Sequence, residues 1–72
     1  MKPDIRKQTG LIIRRNGEYL VGVAMLSDGL RWSVSPYDAW RTRDTDKARK
    51  VARAVGGTVM LFNPVARQMK VF

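Results

Sequence analysis

Serines 27, 33 and 35 and aspartates 38, 44 and 46 are the residues whose types and spacing first suggest chemistry. The chain holds no Cys and no His, so no histidine base stands by any serine. The same two zeros exclude disulfide scaffolds, thiol nucleophiles and Cys/His zinc sites. Lysine-assisted serine chemistry needs a buried neutral lysine, which a fold this small does not readily supply. The three aspartates lack the spacing of a calcium loop, and the intervening Arg41 and Arg43 repel a cation. They read as cap and turn residues. Gly56-Gly57 follows a helical stretch instead of preceding one, so it stops a helix and does not cradle a phosphate. No catalytic site, metal or cofactor is expected, and the protein is not read as an enzyme.

The stretch from Arg41 to Arg53 is more informative. It carries Arg41, Arg43, Lys47, Arg49, Lys50 and Arg53, six cations against Asp44 and Asp46, for a local net of +4. The whole chain has 14 Lys and Arg against 6 acids, a formal charge of +8. Cations on phosphates release counterions, so such a patch gives salt-dependent nucleic-acid affinity. Arginine outnumbers lysine nine to five, which suits two-pronged phosphate contacts. Arg41, Arg43, Arg49, Lys50 and Arg53 are therefore the nucleic-acid candidates.

Elements must position these residues, and 72 residues leave room for one domain spanning the chain, 1–72, with the first eight residues flexible. Apolar runs such as Leu11–Ile13 and Val59–Phe62 are far short of the roughly 20 residues that cross a bilayer. The charged start, Met1 to Lys7, leads into no signal-like apolar stretch. A cytoplasmic protein without a membrane role is expected. Asn16-Gly17, between Leu11-Ile12-Ile13 and Tyr19-Leu20-Val21, predicts a two-residue hairpin with Arg15 opposite Glu18 and Ile13 opposite Leu20. A second tight turn at Ser27-Asp28-Gly29 would pair Met25 with Trp32 and Val23 with Val34. Pro36 then breaks the sheet, and Trp40 and Tyr37 lie outside the strands, read as packing residues with surface contact as the alternative.

Asp44 or Thr45 caps the one convincing helix. Ala48, Val51, Ala52 and Val55 recur on a single stripe, with Arg49, Lys50 and Arg53 opposite. Gly56-Gly57 ends it. Thr58–Phe62 and Arg67–Phe72 read as two further strands. The expected fold is α+β: an antiparallel sheet of four to five strands (β-β-β-α-β-β) with one helix packed on one face.

Alternation assigns the faces. Ile12, Arg14, Tyr19, Val21, Val23, Met25, Trp32 and Val34 form the more apolar set, and the core is expected there. The opposite face, with Leu11, Ile13, Arg15, Leu20 and Arg31, is expected to stay uncovered, because one helix shields one side only. Exposed apolar patches mark interfaces. Leu11, Ile13, Arg15, Leu20 and Arg31 are thus candidates for contact with a protein partner or a second copy.

Trp32-Ser33, Ser35-Pro36-Tyr37-Asp38-Ala39-Trp40, the helix with Ala48, Arg49 and Ala52, and Gly56-Gly57-Thr58-Val59 resemble small uncharacterised proteins encoded by phages and prophages. Many of these carry a Thr-Gly turn before the last strand, where Val65-Ala66 stands here. The resemblance implies an accessory protein acting in a bacterial host, on nucleic acid or on a host protein. Two functions are therefore expected: nucleic-acid contact through the basic helix face, or modulation of a host or defence protein through the sheet face.

Overall fold

The computed structural model describes residues 9–22 and 31–72. Strand β1 (Gly10–Arg15) passes through Asn16-Gly17 into β2 (Glu18–Leu20). Asn16 and Gly17 take positive φ of 52° and 80°, the type I′ geometry that Asn and Gly tolerate and whose twist suits the flanking strands. The register is the expected one, with Arg15 opposite Glu18 and Arg14 opposite Tyr19. Then come β3 (Trp32–Ser33), a 3-10 turn at Pro36–Asp38, helix α1 (Thr45–Val55), β4 (Thr58–Asn63) and β5 (Gln68–Val71). The five strands form one antiparallel sheet in the order β3-β2-β1-β4-β5. Helix α1 lies across β1 and β4. The fold is α+β, with the element order β-β-β-α-β-β.

Helix α1 is bounded as its sequence dictates. The Asp44 carboxylate accepts from the Lys47 amide at 3.1 Å, satisfying a donor that the helix cannot. Asp46 in the first turn and Arg53 in the last complement the helix dipole. At the other end Gly56 is left-handed, and the Gly57 amide donates back to the Ala52 carbonyl at 2.8 Å, a Schellman closure. Ala48, Val51, Ala52 and Val55 are all buried.

Those four meet Leu11, Ile13 and Leu20, with Trp32, Trp40, Val59 and Leu61 half-buried around them. The core under the helix is therefore on the face expected to be open, and the assignment of inside and outside is corrected. The cause is a register. Trp32 pairs with Leu20 and not with Met25, a difference of five positions. An odd shift moves a side chain to the opposite face, so Trp32 joins Leu20 instead of Tyr19. Val23, Met25 and the Ser27-Asp28-Gly29 turn lie outside the described residues, as does the N-terminal segment expected to be flexible.

The second face is covered as well. Ile12, Met60 and Phe62 are buried there, with Tyr19, Ala39 and Met69 packed against them. Leu11, Ile12 and Ile13 are consecutive and all buried, so β1 is enclosed on both sides, as an unbroken apolar run allows. The segment after the 3-10 turn closes the sheet where β2 stops. Trp40 donates its amide to the Leu20 carbonyl at 2.8 Å, and Leu11 and Thr42 exchange amide–carbonyl bonds of 2.8 and 3.0 Å.

Candidate nucleic-acid interface

The outer face of α1 follows from its inner one. At about 100° per residue, a helix that buries residues 48, 51, 52 and 55 turns residues 46, 47, 49, 50, 53 and 54 outward. Asp46, Lys47, Arg49, Lys50, Arg53 and Ala54 are all exposed. Arg49 and Arg53 are one turn apart, and Lys50 sits beside them; Asp46, one turn before Lys50, is the sole acid on that arc. Arg43 is exposed just before the N-cap. Arg43, Lys47, Arg49, Lys50 and Arg53 are five cations against Asp44 and Asp46, a net of +3. The Asp44 carboxylate is engaged in its cap bond.

Arg41 is not part of this surface. Its guanidinium carbon lies 5.8 Å from the Phe62 ring centroid, on the sheet face away from α1. Its side chain runs so close to Gly10 that a Cβ there would sit 2.5 Å from the Arg41 Cγ. A side chain at position 10 would force Arg41 to move. Five of the described cations thus gather at the helix, and Arg41 acts as cover for a phenylalanine. Sequence proximity alone groups it with the others, and the bridge between Leu11 and Thr42 turns it to the other side.

The protein-contact candidates are reorganised too. Leu11, Ile13 and Leu20 are buried under the helix, at 4%, 0% and 0% exposure, which corrects the expectation that they lie open to a partner. Arg15 donates to the Val55 carbonyl at 2.9 Å and lies 4.2 Å above the Trp32 ring. It closes the helix C-terminus, where a cation is favoured. Arg31 alone of the five is exposed.

Of the hydroxyls and carboxylates that first suggested chemistry, Ser33, Ser35 and Asp38 hold the 3-10 turn and Asp44 caps α1, while Ser27 lies outside the described residues. The Tyr37 amide donates to Ser35 Oγ at 3.3 Å, the Ser35 amide to Ser33 Oγ at 3.1 Å, and Ser33 Oγ to Asp38 at 3.4 Å. Among the described residues no three His, Cys, Asp or Glu side chains gather as a metal site, and no helix is long and apolar enough to cross a membrane.

One neighbour of the basic arc escaped the sequence reading. The Arg49 guanidinium carbon is 5.8 Å from the Phe72 ring centroid, so the last residue of the sequence meets the middle of α1. The signal lay in the alternation of β4: Leu61 faces the helix, and Lys70 lies opposite it, so Lys70 and Phe72 share the helix side of β5. Reading it required knowing that β5 lies next to β4.

No protein-family model matches the chain, and no curated protein and no solved structure matches it.

Proposed function

We propose that this protein acts by binding, not by catalysis, and that it holds nucleic acid by the phosphate backbone on the outer face of α1. Arg49, Lys50 and Arg53 make the principal contacts, with Lys47 and Arg43 extending them toward the helix N-terminus. The observation that carries this reading is the separation of roles around one helix: four buried apolar residues inside, and Lys47, Arg49, Lys50 and Arg53 exposed together outside. Phosphate contacts of this kind bind without reading sequence and are sensitive to salt. The resemblance of Trp32 to Val59 to phage-encoded proteins supports a setting in the bacterial cytoplasm, as an accessory protein. The face read for a protein partner is the one α1 covers, so the helix surface is preferred.

Binding of a labelled oligonucleotide at graded salt tests the reading. Replacing Arg49, Lys50 and Arg53 together by Gln should leave the melt intact. It should also flatten the slope of log affinity against log salt by roughly one unit per lost contact. A wild-type protein that binds neither duplex nor single strand at low salt would overturn it.

A further inference from the structure

We infer that the interface continues from α1 onto β5 and takes a single-stranded nucleic acid, one base of which stacks on the Phe72 ring. The inference rests on the proposed phosphate-binding role of α1 and adds the class of strand. Phe72 is 51% exposed, although its amide is tied to the Val59 carbonyl at 3.0 Å. Its backbone is thus held in the ladder while its ring stays open to solvent. An open aromatic ring on a held backbone is a preformed surface for a base face.

The ring's surroundings have the sign a nucleic acid needs. Arg49 stands at 5.8 Å from the centroid, a cation and a π-face contributed by two elements to one place. Lys70 shares the helix side of the same strand, since it lies opposite Leu61 and two residues before Phe72. The two side chains stand about 6.7 Å apart along the strand, twice the rise per residue, a distance on the scale of one step of an unstacked chain. Beyond Lys70 the surface dips into a depression of about 560 Å³ lined by Leu61, Asn63, Arg67, Gln68 and Lys70, among others, so the basic track runs on along the β4–β5 hairpin. Cations thus come to the ring from two elements, Arg49 on α1 and Lys70 on β5, and Arg67 lines the depression beyond Lys70. Cations set beside an open stacking ring are the arrangement that suits single strands. In a duplex the base faces are already stacked on one another, and the ring would have nothing to receive.

The test is fluorescence anisotropy with labelled DNA and RNA strands of roughly 16 nucleotides, the upper end of a single-fold site, and with the matching DNA duplex. Wild type should bind the strands more tightly than the duplex. Phe72→Ala and Phe72→Leu should each weaken strand binding by about 5- to 150-fold, the effect of one lost base stack, with the salt slope unchanged. Phe72→Tyr, which keeps a π-face, should bind as wild type does. Equal binding of strand and duplex, or a Phe72→Leu protein as tight as wild type, would overturn the inference and leave the phosphate-binding role of α1 standing. Absence of binding to every probe would overturn both.

Discussion

The two faces of the sheet are covered in different ways. On one, a helix lays Ala48, Val51, Ala52 and Val55 over Leu11, Ile13 and Leu20. On the other, the irregular segment through Tyr37, Ala39 and Arg41 closes over Ile12, Met60 and Phe62. There the Tyr37 ring meets Phe62 edge-on at 5.3 Å, and the Arg41 guanidinium sits above the same ring. The helix separates its duties by angle, so its covering stripe leaves a whole arc of cations facing solvent. The irregular cover has no such second side: its arginine is part of the lid. Basic residues therefore become a surface only where a regular element turns them outward together, and Arg41 and Arg49 differ for that reason.

The largest effect that can break this comparison is Leu20→Glu. Leu20 has 0% exposure, and a carboxylate there would lie between sheet and helix at a cost of several kcal/mol. A domain of this size has only about 5 kcal/mol of stability, so the variant should show no cooperative melt by circular dichroism. A well-folded Leu20→Glu protein would mean that the helix packs on the other face. Phe62→Ala tests the irregular side. Phe62 is 2% exposed, and its loss should cost about 3–5 kcal/mol; a loss below 1 kcal/mol by urea denaturation would show that the loop-covered face holds little of the stability.

Arg15→Ala sharpens the comparison on a smaller scale. It removes the bond to the Val55 carbonyl and the stack on Trp32. The expected loss is about 1–2 kcal/mol, from a charge-assisted bond at a helix C-terminus and a partly exposed cation–π contact. No change in denaturation midpoint would place Arg15 in solution with the outer cations.

These differences also mark what the sequence could and could not convey. Local chemistry was legible: Asn16-Gly17 set the first hairpin, Asp44 and Gly56 bounded the helix, and the spacing of Ala48, Val51, Ala52 and Val55 separated Arg49, Lys50 and Arg53 from the core. What escaped was set by distant partners. Trp32 changed face because it lies opposite Leu20, a register that the turn chemistry of Asp28-Gly29 does not announce. Arg41 left the basic cluster because residues 40–42 enter the sheet beside Leu11 and Leu20, and nothing in a Trp-Arg-Thr tripeptide announces that. Phe72 met Arg49 through a strand order that alternation alone cannot give.

The central claim, that the outer arc of α1 is a phosphate-binding surface and not merely part of a positively charged protein, is tested most directly by two charge-matched variants. Arg49 and Arg53 are changed to Gln in one, and Arg14 and Arg31, exposed but off the helix, in the other. Each loses the same two charges, so any effect of net charge alone is equal. The measurement is the slope of log affinity against log salt for a labelled oligonucleotide. The Arg49/Arg53 pair should flatten it by roughly two units relative to wild type, and the Arg14/Arg31 pair should leave it unchanged. Equal slopes for the two variants would contradict the account.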